Sequence, residues 1–246
     1  MAKQLGIVPF VGTLDGINFY VRKGKLVARK AGGGFNGKAI KKNASMVRVR
    51  ENNTEFGHCS RVRKLFMDSL LPFVGKQRNE ELQGRLMQLF LKIKDADQIS
   101  ERGKRQIGVG LEDAEGKAVL DGFCFTPFCL LTDNYSYDAT TAAYVLNGFA
   151  PKSLTFLSGA THLELQFGVV ALDLSELKAT LYSSEVFRVA KKGGVQDISL
   201  PAAVPAEASG IRIAVLYYRF SQEVNGVFYG FQEQKGYGLK VVGIVG

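Results

Sequence analysis

The sequence IRIAVLYYRFSQEVNGVFYGFQEQ, residues 211–234, carries the clearest β-hairpin signal of the chain. Two runs rich in aromatic and β-branched residues flank Asn225 and Gly226 in it. An Asn-Gly pair between such runs favours a two-residue turn, because both residues tolerate the positive φ angles that the turn requires. We therefore predict strands over Ile211–Gln222 and Val227–Gln234, joined by this turn.

Short alternating runs of apolar and polar residues, separated by Gly and Pro, fill the rest of residues 109–246. These runs predict further strands at Val119–Phe125, Ala142–Leu146, Ser153–Phe156, His162–Ala171, Ala179–Tyr182, Phe187–Val189, Asp197–Ser199 and Leu239–Val245. Many short strands with turn residues between them favour an antiparallel β-sandwich of immunoglobulin-like architecture. The Cys–Trp–Cys core of antibody domains is absent, because the chain contains no Trp.

The middle of the chain shows the three- and four-residue spacing of apolar side chains that is typical of amphipathic helices. Asn52, with Glu55 three residues later, resembles a capping box and predicts a helix start there. The predicted apolar face of this helix comprises Phe56, Cys59, Val62, Leu65, Phe66, Leu70 and Phe73. Pro72 and Gly75 predict its end. A second helix, antiparallel because the link is short, is predicted over residues 79–96.

The first fifty residues contain a second hairpin signal, INFYVRKGKLVARK over residues 17–30, with its turn at Arg22–Gly24. A strand near Ile7–Val11 and a turn over residues 12–16 are predicted before it. The stretch 31–43, AGGGFNGKAIKKN, is rich in Gly and Lys, which is typical of a flexible or extended connector.

These elements predict an α+β protein with three segments. A basic β-hairpin arm with its Gly-rich connector occupies residues 1–50, a two-helix segment residues 51–108, and the immunoglobulin-like antiparallel β-sandwich residues 109–246. The arm carries eleven basic residues and one acid, a net charge of +10, while the helical segment has +3 and the sandwich −4, which gives the overall +9. A basic arm on an acidic body indicates a polyanionic partner, or contact between the arm and body of different copies.

Cysteine and histidine are scarce in this chain. The cysteines are Cys59, Cys124 and Cys129, and the histidines are His58 and His162. Without an export signal, cysteines are reduced by default, so we expect buried structural thiols. Two histidines and three scattered cysteines do not form the ligand spacing of a tetrahedral zinc site.

Two motifs could suggest catalysis, but neither has the required context. The sequence GGGFNGKA, Gly32–Ala39, matches the phosphate-binding loop GxxxxGK[ST] except that Ala39 replaces the magnesium-binding hydroxyl residue. Neither the buried strand that should precede such a loop nor the amphipathic helix that should follow it is evident. His58 and Cys59 are adjacent, and adjacent helix residues do not face each other. We therefore predict a non-enzymatic protein with no catalytic residue, no metal and no cofactor.

Five segments together resemble one protein family, and they read GTLDGINFYVRKGKLVARKAGG (12–33), VRVRENNTEFG (47–57), RKLF (63–66), SGATHLELQF (158–167) and FSQEVNGVFYGF (220–231). That family is a group of uncharacterised proteins of about this length in bacteria of the Bacteroidetes type. In the group, a GTIDGxTFY hairpin precedes an RTRENxxEFG helix start, and GATHF and YQEVNGxxY segments lie in a β-rich C-terminal half. Leu163 and the run Gly32–Gly34 depart from its pattern. The resemblance implies shared architecture and a bacterial or resident-phage origin, and it supplies no catalytic residue.

Aromatic side chains for stacking and cations for phosphate groups occur together in the arm. The candidate interface or polyanion-binding residues are Phe19, Tyr20, Arg22, Lys23, Lys25, Arg29, Lys30, Lys38, Lys41, Lys42, Arg48 and Arg50. We expect a structural subunit of a homopolymer, such as a filament, tube or phage-like particle, whose arm adds a strand to the open sheet edge of a neighbouring copy. The alternative is a nucleic-acid-binding protein that uses the same arm.

No segment approaches the roughly 20 consecutive apolar residues that a membrane helix needs, so membrane insertion is not expected. The N-terminal sequence MAKQLGIVPFVG has one Lys and a short apolar patch that Gly6 and Pro9 interrupt. It lacks the long apolar core and the cleavage site of a signal peptide. We expect cytoplasmic synthesis without Sec export, and a final location in a cytoplasmic or a released assembly.

Overall fold

The computed structural model describes residues 2–3, 10–32, 37–75, 80–127, 129, 135–233 and 235–245. The chain divides into two compact units, the N-terminal unit Met1–Asn53 and the C-terminal unit Thr54–Gly246. Both units contain antiparallel sheets and helices, so the predicted α+β class is confirmed. The boundary predicted after residue 108 falls within a short helix, Ile107–Glu112.

The N-terminal unit contains one antiparallel sheet in the order β1-β4-β3-β2. Its strands are β1 (Ala2–Lys3), β2 (Gly12–Leu14), β3 (Ile17–Arg22) and β4 (Lys25–Lys30). The predicted hairpin is confirmed, with Lys23 and Gly24 at its turn and φ angles of 50° and 71°. The turn predicted over residues 12–16 is shorter than expected, because β2 extends to Leu14 and only Asp15 and Gly16, with φ angles of 45° and 73°, form the turn. The strand predicted near Ile7–Val11 lies mainly outside the described residues.

Helices begin earlier than predicted. The predicted connector contains helix α1 (Gly37–Lys42), and a 3-10 turn then leads into helix α2 (Val47–Ser69). The guanidinium of Arg50 donates hydrogen bonds to the carbonyl oxygens of Ile40 at 2.6 Å and Asn43 at 3.0 Å. The bond to Ile40 satisfies a carbonyl group in the last turn of α1, which has no partner within the helix, and Asn43 directly follows that helix. The capping-box prediction is wrong, since Asn52 and Glu55 lie in the interior of α2.

The C-terminal unit continues with helices α3 (Leu71–Val74), α4 (Glu80–Asp95), α5 (Ile107–Glu112) and α6 (Ala114–Leu120). The second predicted helix is thus confirmed as α4. Gly75 ends α3 with a φ of 65°, the left-handed conformation that glycine adopts without strain. The strand predicted over Val119–Phe125 is wrong, because the chain is helical up to Leu120. Asp113 caps this helix, since its carboxylate accepts a hydrogen bond from the Glu115 backbone N–H at 2.8 Å.

Two antiparallel sheets form the rest of this unit. Their strands are β5 (Tyr135–Asp138), β6 (Ala143–Phe149), β7 (His162–Asp173), β8 (Lys178–Ser183), β9 (Phe187–Ala190), β10 (Gln196–Pro201), β11 (Ile211–Val224), β12 (Val227–Gly230) and β13 (Tyr237–Val245). The larger sheet centres on the long pair β7 and β11, with β8 and β9 beside β7 and with β12 and β13 beside β11. The smaller sheet has the order β10-β6-β5. Asn225 and Gly226 form the predicted hairpin turn, with φ angles of 53° and 79°.

The central strands are buried on both faces, because side chains alternate between the two sides of a sheet. On β11, Ile213 and Val215 pack with the helices, whereas Leu216 and Tyr218 pack with the smaller sheet. The helices contribute Phe66, Leu86, Phe90 and Ile93, among others, to the first core. The smaller sheet contributes Tyr144, Leu146, Ile198 and Leu200 to the second. The C-terminal unit is therefore built in three layers: helices, central sheet and smaller sheet.

The cysteines differ from the prediction in one respect. Cys59 is a free, buried thiol, as predicted. Cys124 and Cys129 are joined by a disulfide, so the expectation of reduced thiols is wrong at these two positions. The intervening Phe125 is buried, and its N–H donates to the carbonyl oxygen of Leu239 at 2.9 Å. The bond thus closes a small loop beside the edge of β13.

Candidate functional site

The N-terminal sheet has one apolar face and one basic face. In an antiparallel pair, residues directly opposite each other point to the same side of the sheet. The register places Phe19 opposite Ala28, and Tyr20 opposite Val27. The apolar face accordingly comprises Leu14, Ile17, Phe19, Val21, Leu26 and Ala28. The basic face comprises Asn18, Tyr20, Arg22, Lys25, Val27 and Arg29.

The apolar face is unusually open. Leu14 is 63% exposed, Val21 55% and Ile17 41%, and Phe10, which packs against Phe19 at a ring separation of 6.1 Å, is 58% exposed. No residue within 10–32 or 37–53 is buried. A sheet with one apolar face normally covers that face with another layer. This uncovered apolar face is therefore a candidate surface for contact with another protein layer.

The basic face brings together four of the twelve predicted site residues: Tyr20, Arg22, Lys25 and Arg29. Arg22 and Lys25 lie opposite each other next to the turn. The guanidinium carbon of Arg29 lies 5.6 Å from the centre of the Tyr20 ring, which is a cation–π geometry. Three cations and an aromatic ring on one side of a short hairpin can contact phosphate groups and stack on a base.

The other eight predicted residues have different positions. Phe19 and Lys30 belong to the apolar side, where Lys30 lies opposite Ile17, and Lys23 is in the turn. The three lysines of the connector, Lys38, Lys41 and Lys42, are on helix α1. Arg48 forms a salt bridge with Glu51 at 3.0 Å, and Arg50 holds the end of α1. The predicted set is therefore not a single surface.

The N-terminal unit carries the entire formal net charge of the protein. Residues 1–53 contain eleven basic and two acidic residues, a net charge of +9. Since the chain has 32 basic and 23 acidic residues, the C-terminal unit holds 21 of each and is formally neutral. Within the C-terminal unit, residues 109–246 carry the net charge of −4.

The adjacent residues His58 and Cys59 have structural surroundings. Burial and the charge of Arg61 lower the pKa of His58, and its Nε2 accepts a hydrogen bond from the Ile107 N–H at 3.1 Å. Burial raises the pKa of the Cys59 thiol to about 11, so this thiol is not a nucleophile near neutral pH. Within the described ranges, no group of three or more His, Cys, Asp or Glu side chains is placed to hold a metal ion.

Sequence reasoning did not find the buried ion pair of Glu55 and Lys94. Lys94 Nζ donates to Glu55 Oε2 at 2.8 Å, and the Gly103 N–H donates to Glu55 Oε1 at 2.7 Å. Burial raises the pKa of Glu55, but these two hydrogen bonds and the charges of Lys94 and Arg105 outweigh it, so the pKa is lowered. The signal in the sequence is an acid at the position that precedes Cys59 by one helical turn. This pair joins helices α2 and α4.

None of the described helices combines the length and the apolar character that spanning a membrane requires. The N-terminal sheet, with its open apolar face and its basic face, is the strongest candidate for a functional surface. No protein-family model, no curated protein and no solved structure matches the chain.

Proposed function

We propose that this protein is a non-enzymatic structural subunit that self-assembles through its N-terminal sheet. The observation that carries the proposal is the open apolar face of that sheet, in a unit that has no buried residue within 10–32 or 37–53. Burial of apolar surface contributes about 25 cal/mol per Å², so covering this face favours association. An immunoglobulin-like sandwich in the C-terminal unit, and a filament, tube or phage-like particle as the assembled form, belong to the same proposal.

The partner in this proposal is the C-terminal unit of a second copy. Two N-terminal units facing each other would bring together two net charges of +9, which repel. The C-terminal unit is neutral, and its residues 109–246 carry −4, so it attracts the basic unit of a neighbour. A contact between different surfaces of two copies gives rings if it closes and filaments if it does not.

Threonine substitutions on the apolar face test this proposal in the full-length chain. Leu14→Thr with Val21→Thr removes apolar surface but keeps residues that favour strands. Val27→Thr, on the basic face of the same sheet, is the matched control. We expect sedimentation velocity and electron microscopy to show assemblies for the wild type and for the control, and monomers for the double variant. A wild type that stays monomeric at high concentration contradicts the proposal.

The basic face favours a second candidate function, the binding of nucleic acid. Tyr20 and Arg29 form a stacking pair, and Arg22 and Lys25 add cations beside it. The triple variant Arg22→Gln, Lys25→Gln and Arg29→Gln should abolish retardation of DNA or RNA in a gel, whereas Lys30→Gln should retain it. Because such binding releases counterions, affinity should fall steeply between about 50 and 200 mM salt. Absence of retardation at about 50 mM salt excludes this candidate.

A further inference from the structure

One end of the central sheet carries two arginines that share one buried carboxylate. Glu164 on β7 is 4% exposed. Its Oε1 accepts a hydrogen bond from Arg188 Nε at 3.0 Å, and its Oε2 accepts from Arg219 Nε at 3.1 Å and Nη2 at 2.5 Å. The register explains the arrangement, since Glu164 lies opposite Arg188 of β9 on one side and Arg219 of β11 on the other. All three side chains therefore lie on the same face of the sheet.

Neighbouring groups hold both guanidiniums in place. The guanidinium carbon of Arg188 lies 4.5 Å above the centre of the Phe228 ring. Arg219 passes over Gly230, where the Cβ of any other residue would overlap the guanidinium. The two arginine side chains are nevertheless 43% and 37% exposed. Each thus points into solvent from a fixed position, which lowers the entropy lost when it binds a ligand.

The arginines keep donors for a further acceptor. Among the described residues, Arg188 Nη1 and Nη2 and Arg219 Nη1 have no acceptor, whereas the buried carboxylate is fully used. Two positive charges and one negative charge leave a net charge of +1. Glu223 limits the site on one side: its carboxylate lies 3.7 Å from His162 Nε2, and the His162 ring contacts Phe228. An anion would therefore approach the unused guanidinium nitrogens from solvent, away from Glu223.

We propose that Arg188 and Arg219, positioned by Glu164 and Phe228, form a binding site for an oxyanion, that is, a carboxylate or phosphate group of a ligand. Guanidinium groups present paired N–H donors that match the oxygens of such groups. A purely structural role for Glu164 would need only one arginine, because a single guanidinium can pair with both carboxylate oxygens. The second arginine and the unused donors are what a ligand site requires. This inference does not depend on self-assembly.

Calorimetric titration of the full-length protein tests the site. The probes are inorganic phosphate and benzoate, at constant ionic strength. Arg188→Gln and Arg219→Gln should each weaken binding about tenfold or more, because each removes a charged hydrogen-bonding partner. Each variant leaves Glu164 with one arginine, so the fold is retained, which circular dichroism verifies. Arg212→Gln, on the same strand but outside the site, is the matched control and should bind as the wild type does.

The outcomes separate the site from the basic N-terminal sheet. Binding that only the Arg22, Lys25 and Arg29 triple variant weakens would overturn the proposal, as would wild-type affinity for both probes in Arg188→Gln and Arg219→Gln. Selective loss of phosphate binding in these two variants supports a phosphate ligand, and selective loss of benzoate binding supports a carboxylate. Phe228→Leu should weaken binding less than loss of either arginine, since it removes only the support of Arg188.

Discussion

At the scale of single residues, Glu55 joins separate parts of the C-terminal unit. It lies on α2, and its carboxylate accepts hydrogen bonds from Lys94 of α4 and from the Gly103 backbone in the following loop. Asp97 organises the same loop, because its carboxylate accepts hydrogen bonds from the N–H groups of Ser100 and Gln106, both at 2.8 Å. Hydrogen bonds to these two buried acids therefore fix the backbone of the loop that follows α4.

Replacement of Glu55 by alanine should destabilise the protein strongly. The variant removes the carboxylate that pairs with Lys94 and that accepts a hydrogen bond from the Gly103 N–H. Breaking a buried pair costs about 3–5 kcal/mol when the remaining charge has no other partner. Lys94 keeps its ion pair with the exposed Asp95 at 2.5 Å, so we expect a loss at the lower end of this range. Glu51→Ala is the matched control, since its salt bridge with Arg48 involves a side chain that is 68% exposed. Such a pair contributes about 1 kcal/mol or less. Urea denaturation measures both free energies of unfolding, and equal losses would contradict the assigned role of Glu55.

His58 should make stability dependent on pH in the range where histidine titrates. Its folded pKa is depressed from the ordinary value of 6.5, so the unfolded chain takes up the proton first as the pH falls. The stability that neutral His58 contributes is therefore present above about pH 6.5 and is lost as the pH falls through the folded pKa. His58→Asn should flatten the decline in the free energy of unfolding. A decline that is identical in the wild type and in His58→Asn excludes this role for His58.

At the scale of elements, the predicted apolar face is largely confirmed: Cys59, Val62, Phe66, Leu70 and Phe73 are buried, while Phe56 and Leu65 depart from the prediction. Phe56 is 52% exposed and Leu65 is only half-buried, while Phe66 is fully buried and packs edge-to-face on Phe90 at 5.9 Å. The prediction missed Glu55, which lies on the same buried face but is not apolar. The sequence shows this acid one helical turn before Cys59, but it does not identify its partner, which is 39 residues away.

Alanine substitutions along α2 should therefore follow the observed face. Phe66→Ala should lower the free energy of unfolding by about 3–5 kcal/mol, because it leaves a cavity between α2 and α4. Leu65→Ala should cost less than Phe66→Ala, and Phe56→Ala should stay within about 0.5 kcal/mol, as surface substitutions usually do. Denaturation with urea gives the order. A larger loss for Leu65→Ala than for Phe66→Ala would contradict the observed burial of these two side chains.

The disulfide loop offers a test at the edge of β13. Cross-linking Cys124 and Cys129 restricts the unfolded chain, which typically stabilises a protein by about 2–4 kcal/mol, with short loops near the lower value. Treatment with dithiothreitol should therefore lower the free energy of unfolding by roughly 2 kcal/mol. In the variant Cys124→Ser with Cys129→Ser, the reductant should have no effect. If the reductant still destabilises this variant, the loss does not arise from the disulfide.

Local chemistry in the sequence was sufficient for the turns and for the longest strands. Asn225 with Gly226, and Lys23 with Gly24, have the positive φ angles that two-residue hairpins need. The short helices were missed because their stability comes from packing: α6 has only seven residues, and Leu120 is buried in the first core. Helices of this length are marginal in isolation, so their sequence carries little signal.

At the scale of the whole molecule, the chain divides into a basic unit and a neutral one. Composition alone located the charge, since residues 1–53 hold the entire net +9. Composition could not separate the two faces of the N-terminal sheet, because the faces follow from strand register. It also could not bring Glu164 and Arg219 together, which lie 55 residues apart in sequence. Candidate surfaces that depend on pairing between distant strands require the structure.

Assembly should respond in opposite ways to two kinds of salt. Sodium chloride screens attraction between the basic unit and its partner, because the Debye length falls from about 10 Å at 0.1 M to about 3 Å at 1 M. Ammonium sulfate strengthens apolar contact. We expect the average mass in sedimentation velocity to fall with added chloride and to rise with added sulfate. A mass that is constant in both salts would argue against a contact that combines charge with apolar surface.

The three-layer construction has a consequence for synthesis on the ribosome. Helices α2 to α6 end at Leu120, but strands β11 and β13, which cover their apolar side, begin at Ile211 and Tyr237. At translation rates of about 5–20 residues per second, the last of these strands emerges roughly 5–25 s after the helices. During that interval the nascent helices present Phe66, Leu86 and Phe90 without their native cover. Chaperones that act on nascent chains can therefore bind this helical segment during that interval.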